Sequence, residues 1–121
     1  MNIKYDNLDR LFSKYIRVRD KCCQVCGQSN KRLEAAHIFG RGQKSVRFDP
    51  ENCWAMCGGP NQSSCHRYMD LHTTEKMEWC RKKIGDERFN RLSVRARTPK
   101  KPDRVLIKIW LDHELTKLDP Q

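Results

Sequence analysis

The side chains best suited to chemistry in this 121-residue sequence are thiols and imidazoles in its first two thirds. Two residues separate Cys23 from Cys26, and Gly27 follows, which is typical of a knuckle whose tight turn brings two thiolates onto one zinc ion at ~2.3 Å each. One such knuckle supplies half of a tetrahedral site. Cys57 and Cys65 are the candidates for the other half, although the gap between them is wider than usual. The four cysteines therefore predict a structural Zn²⁺ that joins two distant parts of the chain.

The cysteine count supports this interpretation. Seven is an odd number, and Met1 is not followed by the apolar stretch of a secretion signal, so metal ligation is favoured over disulfides and we expect a cytoplasmic protein. Two alternatives stay open. The four thiols could be ordinary buried side chains, or Cys22 or Cys53 could replace one of the ligands.

Charge and size indicate the kind of partner. Lys and Arg number 25 against 15 Asp and Glu, a net charge of +10, while 37% of the residues are hydrophobic. This composition predicts one small domain with a thin core and a polyanionic partner. No stretch approaches the ~20 apolar residues of a membrane helix. Much of the positive charge lies between residues 81 and 104, where the candidate phosphate-binding residues are Lys82, Lys83, Lys100 and Lys101. The alternative for this region is a solvated surface.

Periodicity places these residues on elements. Residues 6–19 have apolar side chains at helical spacing, and residues 31–39 resemble a strand that turns at Gly40–Gly42 into a return strand near Ser45–Phe48. A helix could begin at Cys65. Further helices are expected after a Thr73 or Thr74 cap, ending at Gly85, and around Phe89 and Leu92. After an extended connector at 98–102, the last helix, over 103–118, is expected to bury Leu106, Ile109, Trp110 and Leu115, with a strand over 105–109 as the alternative.

The order of the polar residues between and after the cysteines points to a family. Ala36-His37 follows the first knuckle, Arg47-Phe48 and Asn52 come next, and His66 directly follows Cys65. This order resembles that of the HNH (ββα-metal) endonucleases and is similar to small phage HNH proteins of the NinG/Rap type. The resemblance covers roughly residues 12–92, and the wide gap in the second knuckle accounts for the extra residues between Asn52 and His66.

The resemblance implies a metal-dependent endonuclease that hydrolyses phosphodiester bonds in DNA. His37 would be the general base that activates water, and Asn52 would orient the hairpin and hold His37. His66 would bind one catalytic divalent cation: Mg²⁺, Mn²⁺, Ni²⁺ or Zn²⁺. Arg41 and Arg47 could bind phosphate oxygens.

The sequence departs from the family pattern at Ala36, where many members have a metal-binding Asp or His. Asp70 lies one helical turn after His66, and His72 is six positions after it, so either could complete the site with water. Alternatively, His66 could join three of the cysteines on zinc. Ala36 also sustains a second hypothesis, a noncatalytic zinc-stabilised nucleic-acid-binding module. A zinc-structured protein adaptor fits the charge of +10 poorly.

Together these features predict an α+β fold: a small zinc-stapled ββα-metal (HNH) domain flanked by helices. One domain spans 1–121, with its core at about 12–92 and a basic connector plus closing helix at 93–121. The expected partner is DNA, without a membrane, and the cytoplasm is that of the host cell if the protein is phage-encoded. The sequence leaves open the oligomeric state, the specificity, and nicking versus double-strand cleavage.

Overall fold

The computed structural model describes residues 4–59 and 63–118, and confirms the α+β fold: its described part has five α-helices and one antiparallel pair of strands. The elements in chain order are α1 (Asn7–Asp20), β1 (Leu33–His37), β2 (Cys53–Cys57), α2 (Cys65–Leu71), α3 (Thr73–Ile84), α4 (Asp86–Arg97) and α5 (Arg104–Leu118). Within the described ranges, no helix is long and apolar enough to cross a membrane.

Helix α1 begins where the sequence predicts. Asp6 caps it by accepting hydrogen bonds from the backbone of Leu8 and Asp9, and the Asp9 side chain accepts one from the backbone of Asp6 in return. This reciprocal capping box satisfies backbone donors that the first turn leaves without partners. The apolar face of α1, with Phe12 and Ile16 at its centre, is buried against the strands and α5.

The prediction of a return strand near Ser45–Phe48 is wrong, because this segment begins in a 3-10 helix. The partner of β1 is β2, with Leu33 opposite Cys57 and His37 opposite Cys53. The long connection contains two short 3-10 helices, Lys44–Val46 and Pro50–Asn52. Turn hydrogen bonds satisfy part of its backbone, and the side-chain amide of the fully buried Asn52 bonds to the backbone of Phe39 and Val46. Turns and one side chain therefore take the place of the ladder that a return strand would have supplied.

Helices α3 and α4 meet at Gly85, as predicted, where a φ of 90° favours glycine over other residues. The cap is different from the prediction, because α3 already starts at Thr73 and His72 precedes it. The two helices close over one side of the sheet by packing a cluster that includes Cys80, Ile84, Phe89 and Leu92 against Ile38 and Val46.

The last element is a helix, and its buried face differs from the prediction. Leu111 is fully buried, with Ile107 and Leu115 beside it, whereas Leu106 and Ile109 are exposed and Trp110 is 38% exposed. The sequence of α5 is apolar on more than one side, so periodicity alone does not say which side packs on α1. The connector at 98–102 has no regular structure, as expected.

Candidate functional site

The four predicted zinc ligands come together. The Sγ atoms of Cys23, Cys26, Cys57 and Cys65 all lie within 4.8 Å of one another, and those of Cys26 and Cys57 are 3.9 Å apart. Zn–S bonds of ~2.3 Å in a tetrahedron separate the sulfurs by about 3.8 Å. The cluster therefore has the size and donor set of a structural zinc site. Among the described residues it is the one group of three or more potential ligands that converges this closely.

Backbone hydrogen bonds and a tight turn hold these thiols in position. The backbone N–H of Cys26 donates to Cys23 Sγ, and that of Cys65 donates to Cys57 Sγ, at 3.4 and 3.3 Å. Gly27 makes the tight turn with a φ of 80°. Burial works against ionisation of Cys23, but backbone hydrogen bonds, first from Cys26, lower its pKa to about 7. Burial and the neighbouring sulfurs raise the pKa of Cys65, as expected where thiolates share one site without a cation.

The other cysteines are not in this cluster. Cys53 and Cys80 are buried elsewhere in the core, where burial raises the pKa of each thiol, to about 11 for Cys80. Cys22 is partly exposed. Residues 60–62, in the middle of the wide gap between Cys57 and Cys65, lie outside the described residues.

A second group of predicted residues lines one cavity of about 730 Å³ beside this cluster, which we call the histidine cavity. Its walls include His37 from the end of β1, Arg41 from the following loop, and His66 and Asp70 from α2. Glu34 of β1 and Lys76 of α3 also line it, and the sequence analysis did not identify either one.

One ring nitrogen of His37 is assigned by its partner. Nε2 lies 2.9 Å from the carbonyl oxygen of Arg47, and since a carbonyl can only accept, Nε2 carries the proton. Nδ1 is then the proton acceptor, with the Sγ of Cys53 at 3.9 Å. Burial lowers the pKa of His37, and the charges of Arg41 and His66 act in the same direction, against the Arg47 bond and Asp9. The imidazole is therefore neutral at pH 7, as a general base requires.

His66 lies between two carboxylates. Its Nδ1 is 2.8 Å from Oε1 of Glu34, and its Nε2 is 3.3 Å from Oδ2 of Asp70. The hydrogen bond to Asp70, and then that to Glu34, raise the pKa of His66 despite its burial. Burial would raise the pKa of Asp70, but His66 and Lys76 lower it. Asp70 is thus an ionised oxygen ligand beside a ring nitrogen, close enough for both to bind one cation.

Glu34 is held in place by the sheet. It lies opposite Met56 in the register, and its carboxylate lies against Gly58, where the Cβ of any other residue would overlap it. A larger residue at position 58 would therefore displace the Glu34 carboxylate from this position. No sequence spacing predicts this contact, because Glu34 and His66 are on different elements.

The two predicted phosphate-binding arginines have different surroundings. Arg47 is buried, its Nε donates to Asp9 at 3.0 Å, and its Nη2 donates to the carbonyl of Lys4. Arg41 lines the histidine cavity with Nη1 3.6 Å from Asp9 Oδ2. Within residues 4–59 and 63–118, Nη1 of Arg41 is the one buried side-chain N or O atom without a hydrogen-bond partner. Arg41 thus has a spare donor, whereas Arg47 holds α1 to the loop.

The remaining candidates lie outside the histidine cavity. His72 is exposed, stacked on Tyr68 at 4.1 Å, and its Nδ1 is bonded to the Tyr68 carbonyl. Asn52 lies behind the cavity and holds the loop that follows His37. Lys83 contacts Gln24, and Lys82 is exposed on the same helix. Lys100 and Lys101 line two further grooves.

Comparisons with protein-family models, with curated proteins and with solved structures gave no match to this chain.

Proposed function

We propose that this protein is a metal-dependent HNH endonuclease that hydrolyses phosphodiester bonds in DNA. The observation that carries the proposal is the histidine cavity, where a neutral imidazole, a histidine-carboxylate pair and an arginine with a spare donor line one space. These are the groups that hydrolysis of a phosphodiester needs: a base, a place for a cation and a phosphate ligand. The adjoining cysteine cluster and the pair of strands are the other parts expected of a ββα-metal domain.

In the proposed reaction His37 is the base. Nδ1 takes a proton from a water molecule as the water oxygen forms a bond to phosphorus. The bond from phosphorus to the leaving oxygen breaks, and that oxygen gains a proton from solvent. The hydrogen bond from Nε2 to the Arg47 carbonyl keeps the ring oriented, and Asn52 keeps the loop carrying that carbonyl in position.

The divalent cation would be held by His66 Nε2 and Asp70, with water completing its shell. The chemistry it supplies when bound is neutralisation of the negative charge that develops on the leaving oxygen. Glu34 accepts the Nδ1 proton of His66, which is the usual arrangement behind a metal-binding histidine. The ligand absent at Ala36 is thus replaced from α2 rather than from the strand.

DNA is the proposed substrate because the protein is strongly basic. Arg41 lines the cavity, and the chain carries a net charge of +10. A polyanion with many phosphates gains from such a surface at every contact.

The test is nicking of supercoiled plasmid by purified protein with added Mg²⁺, Mn²⁺ or Ni²⁺, followed by gel electrophoresis. Wild type should nick, and EDTA added immediately before the plasmid should stop it while elemental analysis shows that zinc stays bound. His37→Ala should lose the activity. His113→Ala, an exposed histidine of α5, is the matched control and should nick like wild type. Equal nicking by the two variants would contradict the proposal.

A second candidate is the noncatalytic nucleic-acid-binding module, and a specific observation favours it. Nδ1 of His37 faces the thiol of the buried Cys53, and both nitrogens of His66 are already bonded to carboxylates. This candidate predicts zinc-dependent DNA binding with no cleavage under any of the added metal ions.

A further inference from the structure

The described part of the chain has two more large concave surfaces besides the histidine cavity. The first, which we call the basic groove, has a volume of about 800 Å³ and begins at Gly42, next to Arg41. The second, which we call the Trp110 pocket, has a volume of about 610 Å³. Ser45, Lys100, Lys101 and Pro102 line both, so these two spaces adjoin each other.

The lining of the basic groove is strongly cationic. Its described walls contain no acidic residue, and they contain six basic residues: Lys44, Arg47, Arg97, Lys100, Lys101 and Arg104. Arg47 and Arg104 are neutralised by Asp9 and Asp6 respectively. Neither Lys100 nor Lys101 forms an ion pair with any residue that the structure describes. Their charge is therefore available to a ligand.

The Trp110 pocket has a different chemistry. Its walls are mainly apolar: Phe48, Pro50, Pro102, Leu106, Ile107 and Trp110. Trp110 makes an edge-type contact with Tyr15, with ring centroids 5.1 Å apart and an interplanar angle of 64°, yet it remains partly exposed. The acids at the rim already have partners, because Asp49 pairs with Arg95 and Asp103 accepts from the backbone of Leu106. Lys100 and Lys101 are thus the cations of the rim without an ion pair among the described residues, and they lie beside the carboxylate of Asp103.

From this juxtaposition we propose that the Trp110 pocket binds an unpaired nucleobase of single-stranded DNA whose neighbouring phosphates lie on Lys100 and Lys101 in the basic groove. An aromatic surface beside a cationic groove is how proteins bind single strands without reading sequence. In a duplex the base faces are covered by stacking and cannot enter a pocket. A second copy of this chain is a poor occupant, since two surfaces of a protein with charge +10 repel each other.

The pocket is close to the proposed reaction centre. The Phe12 ring is 6.0 Å from that of His37 and 5.8 Å from that of Phe48, so Phe48 lies no more than about 12 Å from His37. Because Phe12 is buried, this distance runs through the core and not along the surface. The inference rests on the proposed function only for the choice of DNA as ligand.

The experiment measures binding without cleavage. Zinc-loaded His37→Ala protein, without added divalent cation, is titrated into fluorescein-labelled oligothymidylate of ~12 nucleotides or its duplex, and anisotropy gives Kd. In that background Trp110→Ala should raise Kd for the single strand by about 5- to 150-fold, the effect of one lost stacking contact, and change Kd for the duplex less than about twofold. Trp110→Phe should retain part of the affinity. Val105→Ala, a 70% exposed position on the same helix outside the pocket, is the matched control and should leave both values unchanged.

A second variant tests the pocket independently, in case the Trp110→Ala protein does not fold. Leu106→Glu places a negative charge at an exposed position in the pocket wall and should also weaken single-strand binding selectively. The inference is overturned if neither variant raises Kd for the single strand, or if Kd rises equally for the single strand and the duplex. It is also overturned if sedimentation shows a dimer that Trp110→Ala dissociates. Failure of the proposed function is distinguishable: a protein that never nicks plasmid but shows the selective Trp110 effect fails as a nuclease and keeps this site.

Discussion

Nδ1 of His66 donates a hydrogen bond of 2.8 Å to Oε1 of Glu34, and this bond leaves Nε2 as the ring nitrogen that faces Asp70. Two residues from different elements thus decide which side of the imidazole is available to a cation. The position of the Glu34 side chain depends on Gly58, because a Cβ there would overlap the carboxylate and displace it.

Glu34→Gln should weaken cation binding without unfolding the protein. The amide keeps the shape of the carboxylate but accepts the His66 proton less strongly, and loss of such a partner typically costs 10- to 100-fold in metal affinity. The cation concentration at half-maximal nicking should rise by about this factor. Glu75→Gln, an exposed glutamate that contacts Tyr68, is the control. An unchanged cation requirement for Glu34→Gln would remove Glu34 from the site.

The nicking rate should depend on pH through His37. Burial lowers the pKa of this imidazole below its usual 6.5, and the base is active when neutral. The rate should therefore be low in acid, rise to half its maximum below pH 6.5 and be constant near pH 7. Single-turnover rates at saturating cation measure this profile. A midpoint above pH 7 would contradict the assignment of His37 as the base.

Cys57→Ser should lower bound zinc and destabilise the whole protein. Structural zinc contributes ~10 kcal/mol or more in small zinc domains, which is comparable to the entire stability of a domain. Elemental analysis and thermal unfolding measure both effects. Cys22→Ser, outside the cluster, should keep zinc and the wild-type melting temperature. Folded wild-type protein purified without zinc would rule out a structural zinc.

Asn52→Ala should destabilise the fold by about 2 to 4 kcal/mol, because its buried backbone partners at Phe39 and Val46 lose their hydrogen bonds. Urea unfolding followed by circular dichroism gives the free energy. Asn90→Ala, an exposed asparagine of α4, should change it by less than about 0.5 kcal/mol. Equal stabilities for the two variants would show that the loop after His37 does not depend on Asn52.

The lysine pairs should differ in their contribution to DNA binding. Each phosphate contact that is lost reduces the slope of log K against log salt by roughly 0.9 for B-DNA and 0.7 for a single strand. The double variant Lys100→Ala with Lys101→Ala should reduce the slope by the amount expected for two lost contacts, about 1.8 for B-DNA and about 1.4 for a single strand. Lys82→Ala with Lys83→Ala should reduce it less if the strand follows the basic groove, because these lysines line neither that groove nor the Trp110 pocket. Anisotropy titrations at several salt concentrations measure the slopes. An unchanged slope for the first pair would exclude Lys100 and Lys101 as phosphate ligands.

Local pattern was enough to predict several features of this protein. The spacing of Cys23 and Cys26 with Gly27 predicts one knuckle, because a tight turn is a property of consecutive residues. The periodicity of residues 6–19 predicts α1, since a single apolar face at helical spacing indicates both the helix and the side of it that is buried. The closeness of Asp70 to His66 follows from one turn of α2, because residues four apart share a helix face.

Only the tertiary structure decided the rest. β1 pairs with β2 rather than with residues 45–48, and the buried Asn52 bonds the loop between the two strands, so residues far apart in the chain decide this arrangement. Packing on α1 selects Leu111 as the inward residue of α5 and leaves Trp110 at the surface. The pairing of Asp9 with Arg47, which separates the role of Arg47 from that of Arg41, joins elements far apart in the chain. A charged side chain can pair with any opposite charge that packing brings near it, so spacing along the chain does not specify its partner.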